Sequence, residues 1–155
     1  MSAPAARGRY CSVEVGELRF AIDVAEVQEV LQAQPMTRTP LAPAVVAGLI
    51  NLRGLVVPAI DLRRRLELPP RTKAAVNVIV HGGDGPVSLL VDAIGDVVEV
   101  DSASFEEPPD TLRGTVRPLV RGVFKLEGEL LLWLDLGCAL DGVVTQEPHD
   151  LLAAI

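Results

Sequence analysis

Alternating apolar and polar positions predict that the chain is built from short β-strands. In residues 10–15 every second side chain is apolar, and after Gly16 the alternation resumes over 18–22. A period of two that is interrupted by a short glycine turn is typical of a β-hairpin with one buried face. Further strands or strand pairs are predicted at 29–33, 45–52 with 55–60, 75–80 with 87–91, 97–100, and 121–126 with 129–134.

Helices are predicted only as short segments that follow an aspartate. Asp23, Asp61 and Asp135 each precede such a segment, and an aspartate side chain can accept the unpaired N–H groups of a first helical turn. Proline-rich residues 34–43 and 101–118 predict irregular connections. The long helical crossovers that join parallel strands are missing. The sequence therefore predicts an all-β protein made of small barrels.

An internal repeat indicates that the protein has two subdomains of one plan. Residues 48–66 align without gaps with residues 122–140, and six of the 19 aligned positions are identical; chance would give about one or two. We expect a first barrel over about 10–70 and a second over about 71–142. The identical pairs are Gly48/Gly122, Leu52/Leu126, Gly54/Gly128, Asp61/Asp135, Leu62/Leu136 and Leu66/Leu140.

Composition and charge limit the classes of function. A net charge of −7 argues against binding a phosphate backbone, and 3% aromatic residues argue against stacking on bases. Residues 1–73 carry a net charge of +3 and residues 74–155 one of −10, which indicates either two surfaces with different partners or a solvated surface with a chance bias. The longest uncharged stretch, 39–52, has 14 residues and is too short to span a membrane.

The side chains that catalysis usually needs are not arranged for it in this sequence. Cys11 and Cys138 do not have the spacing of a metal or redox motif, and neither His81 nor His149 has a ligand at helical spacing. No nucleophile elbow or phosphate-binding loop is present. We therefore expect no enzyme activity, no cofactor and no metal ion, and we expect Trp133 to fill the core.

The two repeated hairpins differ at their tips. The first tip reads Asn-Leu-Arg-Gly at 51–54 and the second Lys-Leu-Glu-Gly at 125–128. If Leu52 points inward, Asn51 and Arg53 point outward beside the turn. An arginine at such a place can bind a partner's carboxylate or stack on an apolar surface, or it can form a weak local ion pair. Spacing alone leaves both interpretations open.

Four sequence blocks resemble those of CheW-like chemotaxis coupling proteins, in the same order. The strongest is VAGLINLRGLVVPAIDL at 46–62, which resembles the signature hairpin of that family. Together the blocks span about residues 10–141. The other three are FAID with VQEV at 20–23 and 27–30, LLVDAIGDV at 89–97, and RGV, EG and LDL at 121–123, 127–128 and 134–136.

This resemblance implies a fold and a role. The fold would be two SH3-like five-stranded β-barrels with short capping helices, in a domain over 10–142 whose barrels can exchange segments, with tails at 1–9 and 143–155. The role would be that of a cytoplasmic, non-catalytic adapter, recruited to membrane-bound receptor arrays. Its partners would be the cytoplasmic domain of a methyl-accepting chemoreceptor and the regulatory domain of a CheA-type histidine kinase, with no nucleic acid and no membrane span.

The resemblance also assigns residues to surfaces. Five residues would lie at or near the surfaces that face receptor or kinase: Val27, Glu29, Asn51, Arg53 and Val56. Val91 and Asp92 would lie near the groove between the barrels. A structural role is expected for Leu52, Gly54, Pro58, Asp61, Gly128 and Asp135.

Three other functions are compatible with the sequence. A CheW-like paralogue of another chemosensory or motility pathway, binding only one of the two partners, would carry the same motifs. A barrel that binds a small molecule would need an interior cavity with a few polar groups. An enzyme would have to use the carboxylates within 92–96 or 106–110.

Overall fold

The computed structural model describes residues 7–82, 85–112 and 114–141, which contain eleven strands and two short α-helices. The all-β class predicted from the alternation is confirmed. The helices are α1 (Leu62–Arg65) and α2 (Leu136–Ala139). The strands are β1 (Arg7–Val15), β2 (Leu18–Asp23), β3 (Val27–Leu31), β4 (Val46–Leu52), β5 (Leu55–Asp61), β6 (Val76–His81), β7 (Pro86–Val91), β8 (Ala93–Asp101), β9 (Phe105–Glu106), β10 (Val120–Leu126) and β11 (Glu129–Leu134).

Element boundaries near the N-terminus differ from the predictions. β1 begins at Arg7, so residues 7–9 of the expected N-terminal tail belong to a strand. After Asp23 a 3-10 turn over 24–26 replaces the expected short helix, because β3 already pairs with β6 from Val27 onward. The remaining residues of the expected tails, 1–6 and 143–155 with His149, lie outside the described residues.

The strands form two sheets of the same plan. One sheet has the order β8-β1-β2-β11-β10-β9 and the other β3-β6-β7-β5-β4. We call the first sheet with α2 the six-stranded module and the second with α1 the five-stranded module. β2 runs parallel to β11 in one and β7 runs parallel to β5 in the other. The sixth strand is the two-residue β9, which pairs with β10.

Each module takes its central hairpin from the other half of the sequence. The hairpin β1–β2 joins strands from residues 93–134, whereas the hairpin β6–β7 joins strands from residues 27–61. The six-stranded module therefore consists of residues 7–23 and 93–141, and the five-stranded module of residues 24–92. The sequence left such an exchange of segments open but did not indicate which segments are exchanged.

The two glycines that begin the repeat have a common packing role. Gly48 and Gly122 each lie at a register shift between the strands of their hairpin. A Cβ atom at Gly48 would lie 2.7 Å from the Thr37 carbonyl oxygen, and one at Gly122 would overlap the Phe105 ring. Another segment of chain crosses each strand at this point, so only glycine fits there.

Pro58 lies in an interior strand, at a position where a backbone N–H group would have no hydrogen-bond acceptor in a neighbouring strand. It stands opposite Leu49 of β4, whose N–H and C=O groups both bond to Thr37 instead. On the other side of β5, the parallel pairing with β7 begins only at Ala59. No ladder hydrogen bond is therefore lost, which explains why proline is tolerated here.

One aliphatic core joins the two modules. Val13 and Phe20 of the hairpin β1–β2 belong to the same buried cluster as Ile60, Val78 and Leu89 of the five-stranded module. The aromatic residues other than Phe20 lie apart, in a cluster of the six-stranded module that includes Trp133. No helix among the described residues is long and apolar enough to cross a membrane.

Candidate functional site

The turn between β4 and β5 holds an arginine in a backbone conformation that arginine rarely adopts. Arg53 and Gly54 have φ values of +52° and +86°, and two consecutive positive values are typical of the type I′ turn of a two-residue hairpin. Glycine and asparagine are the residues favoured there. Asn51 supports the turn, since its Oδ1 atom accepts a 2.8 Å hydrogen bond from the Gly54 N–H group.

Arg53 forms a two-pronged ion pair with Glu29 of β3. Its Nη1 and Nη2 atoms lie 2.6 and 2.7 Å from the two carboxylate oxygens. β3 and β4 are the opposite edges of the five-stranded sheet, so the pair connects those edges. The hydrogen bonds from Arg53 lower the pKa of Glu29, and those to Glu29 raise the pKa of Arg53. The Arg53 side chain is still 70% exposed, which leaves much of its guanidinium group available to a partner.

Apolar side chains accompany this ion pair on the same strands. Val30 of β3 and Leu55 of β5 are exposed, while Val27 and Val56 are half-buried. The structure thus places all five predicted partner-facing residues on β3 or on the hairpin β4–β5. The spacing of the sequence did not single out Val30 or Leu55, because an isolated exposed apolar residue is common on protein surfaces.

The second hairpin tip differs in both charge and conformation. Glu127 stands where the first tip has Arg53, and the positive φ at this turn belongs to Gly128 and not to Glu127. Lys125 forms its ion pair with Glu106, at 2.7 Å. Of the two repeated tips, only the first displays an arginine held by a carboxylate of the neighbouring edge strand.

Asp92 lies elsewhere, in a charged network at the junction of the modules. Its Oδ1 atom accepts from Arg63 Nε at 2.9 Å and Arg71 Nε at 3.2 Å, and its Oδ2 atom accepts from Arg63 Nη2 and from the Gly16 N–H group at 2.7 Å each. Arg71 also binds both carboxylate oxygens of Asp61, at 2.9 and 3.0 Å. Arg63 is the largest cause that lowers the pKa of Asp92 to about 2.

The network is a connection between modules. Gly16 belongs to the β1–β2 turn of the six-stranded module, whereas Asp92 and its two arginines belong to residues 24–92. Val91, which the resemblance placed beside Asp92 near the groove, is fully buried in the core. Of these two residues, therefore, only Asp92 has exposed atoms, and its carboxylate oxygens already accept five hydrogen bonds.

A second connection joins the two short helices. Arg65 of α1 donates from Nε to the Ala139 carbonyl at 3.1 Å and from Nη2 to the Asp141 carbonyl at 2.8 Å. Residues 65 and 139 occupy the same position of the two sequence repeats. In the sequence, the run of three arginines at 63–65 was compatible with a solvated or an interfacial face, since its partners lie far along the chain.

The chemistry of these groups suits docking better than catalysis. Glu29 and Asp92 have lowered pKa values because of their arginine partners. Burial raises the pKa of the Cys11 thiol, and partial desolvation with the nearby Asp135 carboxylate raises that of the exposed Cys138 thiol, which disfavours the nucleophilic thiolate. Within 7–82, 85–112 and 114–141, no group of three His, Cys, Asp or Glu side chains could hold a metal ion.

Comparisons with known proteins agree on one family. The model of the CheW-like domain matches residues 9–143. The chemotaxis protein CheW of Rhizobium meliloti (strain 1021) is 34% identical over 138 residues, which cover 88% of this chain and 86% of that protein. The chemotaxis protein CheW of Bacillus subtilis (strain 168) is 34% identical over 124 residues, covering 79% of this chain and 80% of that protein.

Two more comparisons extend this result. Protein PilI of Pseudomonas aeruginosa is 30% identical over 116 residues, covering 74% of this chain and 65% of that protein. The crystal structure of the scaffolding protein TtCheW from Thermoanaerobacter tengcongensis superposes with a TM-score of 0.79 at 27% identity, covering 88% of this chain and 94% of that one.

Proposed function

We propose, from the premise that this chain belongs to the CheW-like family, that it is a non-catalytic adapter which couples the cytoplasmic domain of a chemoreceptor to a CheA-type histidine kinase. The match of the CheW-like domain over residues 9–143 carries the proposal. Relatives named as chemotaxis proteins and a neighbour described as a scaffolding protein support an adapter or scaffold role in chemotaxis. Its place would be the cytoplasm, where protein contacts recruit it to membrane-bound receptors.

Two features make the Arg53 hairpin a suitable docking surface. The turn is short and supported by Asn51, so little flexibility is lost when a partner binds. Arg53 is exposed but held in place by Glu29, and arginine is among the residues that contribute most at interfaces, since it can bind a carboxylate and stack on apolar surface.

The adapter would act by bringing its partners together. A chain that binds receptor and kinase at separate surfaces raises the effective concentration of one near the other, so each contact can be weak. To transmit a signal it must also bind one state of the kinase more tightly than the other. Neither step forms or breaks a covalent bond.

Reversing the charge of Arg53 is expected to weaken receptor binding. We expect Arg53→Glu to raise the dissociation constant of a purified receptor cytoplasmic fragment by at least about tenfold, because the new carboxylate repels Glu29 and replaces the exposed guanidinium. Isothermal titration calorimetry measures this change. The thermal unfolding curve is expected to stay close to that of the wild-type protein, because the side chain is exposed.

Two matched variants separate the surface from the turn. Arg53→Asn removes the cation but suits a type I′ turn, so it should bind the receptor fragment weakly while the hairpin is preserved. Lys125→Glu makes the same charge reversal at the second tip and should bind like the wild-type protein. If all three variants bound the receptor fragment equally well, the Arg53 surface would be assigned incorrectly.

A second candidate is a CheW-like paralogue that binds only one of the two partners. The similarity to a relative with a different name, Protein PilI, favours it. Sedimentation of the chain with receptor fragment and kinase regulatory domain together distinguishes the two candidates. A ternary complex supports the adapter, and a complex with one protein only supports the paralogue.

A further inference from the structure

The proline-rich connection at 34–43, which we call the loop, precedes β4. It carries the most exposed large apolar side chain of the described residues. Leu41 is 81% exposed and is the third residue of a turn that the Ala42 N–H group closes on the Thr39 carbonyl at 3.0 Å. Pro40, the second residue, has its φ fixed by its ring. The loop is therefore ordered before any partner binds, which reduces the entropy that binding would lose.

The loop is also fastened to the rest of the five-stranded module. Thr37 exchanges two backbone hydrogen bonds with Leu49 of β4, at 2.9 and 2.8 Å. Arg64 of α1 donates from Nη1 to the Ala44 carbonyl at 3.0 Å. Because it is held at both ends, the loop presents Leu41 in one position.

Beside Leu41 lies a cleft with positive charge. Its volume is about 390 Å³, and proline, alanine and valine side chains line most of it. Arg38 and Arg64 line it too, and no acidic side chain does. Arg64 lies 3.8 Å from Asp61, whereas Arg38 has no hydrogen bond or ion pair with any described residue. The Thr39 hydroxyl is buried in the wall of the cleft and has no hydrogen-bond partner among the described residues.

The five-stranded module has a small positive net charge, the same sign as the cleft. Residues 24–92, which form the five-stranded module, contain seven Lys and Arg against six Asp and Glu. Residues 7–23 and 93–141, which form the six-stranded module, contain seven Lys and Arg against thirteen Asp and Glu. A partner with negative charge is therefore attracted to the five-stranded module and repelled by its neighbour.

The cleft and the Arg53 turn lie toward opposite ends of the same strand, since Val46 and Ala47 at the start of β4 line the cleft and Arg53 follows the last residue of β4. β4 has seven residues, so its two ends are about 20 Å apart at roughly 3.3 Å per residue. An adapter has to hold two partners at the same time, which needs two surfaces that do not overlap. The ends of β4 meet this requirement within one rigid hairpin.

We propose that Leu41, Arg38 and the cleft beside them form a second docking surface, which binds a protein segment that carries a carboxylate next to an apolar side chain. The inference rests on the proposed adapter function, since the occupant is the kinase regulatory domain, the partner that the Arg53 hairpin does not bind. Leu41 packs against the apolar side chain of that segment. Arg38 binds its carboxylate through its free guanidinium group, and the cleft walls accept the remaining apolar surface.

Binding measurements with both partners test this surface. The variant carries Arg38→Glu with Leu41→Ser, and its control carries Arg7→Glu with Leu130→Ser, the same changes at exposed sites of the other module. We expect the variant to raise the dissociation constant of the kinase regulatory domain by at least about tenfold, and that of the receptor fragment by less than about twofold. Arg53→Glu should show the opposite preference. Added sodium chloride should weaken the affected complex more than the other one.

Four results would overturn the proposal. Both partners could bind the variant as they bind the wild-type protein, or both could be lost equally, which would mean that the surfaces are not separate. Inorganic phosphate could compete with the partner while Leu41→Ser has no effect, which would identify a cleft for small anions. Sedimentation of the chain alone could change in the variant, which would identify a second copy as the occupant.

The same experiment separates this proposal from the proposed function. If the wild-type chain bound neither protein, the adapter function would be wrong, and this surface with it. If it bound both and only Arg53→Glu had no effect, the assignment of the hairpin would be wrong while the loop surface was supported. Thermal unfolding of both double variants should match the wild-type protein, because all four replaced side chains are exposed.

Discussion

Replacement of Trp133 by alanine is expected to lower the free energy of unfolding by about 4 kcal/mol and the melting temperature by about 8–16 °C. The ring is only 5% exposed. Its centroid lies 5.6 Å from that of Phe124 and 5.9 Å from those of Tyr10 and Phe105, and the Arg121 Cζ atom lies 4.2 Å from it. Alanine would leave a cavity among these rings, which are spread over three strands and cannot close in together.

The matched variant Trp133→Phe should lose less than about 1.5 kcal/mol. The Trp133 Nε1 atom is buried and has no hydrogen-bond partner among the described residues, so phenylalanine removes volume but no hydrogen bond. Urea unfolding followed by circular dichroism measures both variants, because each loses the single tryptophan of the chain. A Trp133→Ala protein as stable as the wild type would show that the aromatic cluster does not hold the six-stranded module together.

Replacement of Asp92 by alanine is expected to lower the free energy of unfolding by about 2 kcal/mol and the melting temperature by about 4–8 °C. The change leaves Arg63, Arg71 and the Gly16 N–H group without their common acceptor. The value lies below that for a fully buried pair because the Asp92 side chain is 21% exposed, and solvent screens the charges. Differential scanning calorimetry measures the shift.

Two comparisons define this effect. Asp96→Ala removes an exposed carboxylate of the neighbouring strand β8 and should leave the melting temperature unchanged. A double-mutant cycle of Asp92→Ala with Arg63→Ala should give a coupling free energy greater than zero. Additive effects of the two substitutions would mean that Arg63 and Asp92 do not stabilise each other in the folded protein.

Lowering the pH is expected to remove the contribution of the Asp92 carboxylate to the free energy of unfolding. Its pKa is lowered to about 2 in the folded protein, chiefly by Arg63, whereas an aspartate in an unfolded chain titrates near 3.9. A group with a lowered folded pKa stabilises the fold above its unfolded pKa and loses that effect as the pH falls through its folded pKa. The difference in stability between the wild-type protein and Asp92→Asn should therefore be constant above about pH 5 and shrink toward about pH 2. A difference that grew on acidification would contradict the assignment.

Local patterns predicted the strands and their turns well. The alternation at 10–22 and the glycine turns at 16, 54 and 128 correspond to the hairpins β1–β2, β4–β5 and β10–β11. In a hairpin the pairing partners are close in sequence, and the turn sets their register. The strand β9 could not be foreseen, since two residues are too few to show a period.

The candidate site was predicted one residue at a time but not as contacts. Glu29 and Arg53 were both expected at a partner-facing surface, yet nothing in their spacing indicated that they bind each other. The arginines at 63–65 were recognised only as a charged run. Arg63 donates to Asp92, and Arg65 donates to the carbonyls of Ala139 and Asp141. These acceptors are 29 to 76 residues away, and a sequence pattern holds no information on such distances.

The sequence by itself determined where strands begin and turn, which aspartates stand before the short helices, and which family the chain resembles. Tertiary structure alone decided that the hairpins β1–β2 and β6–β7 each pair with strands from the other half of the sequence, and that Asp92 joins the two modules. The physical reason is that short apolar strands of similar pattern can pair in several ways with nearly equal local free energy. The choice among these pairings depends on the shared core that forms between segments far apart in the chain.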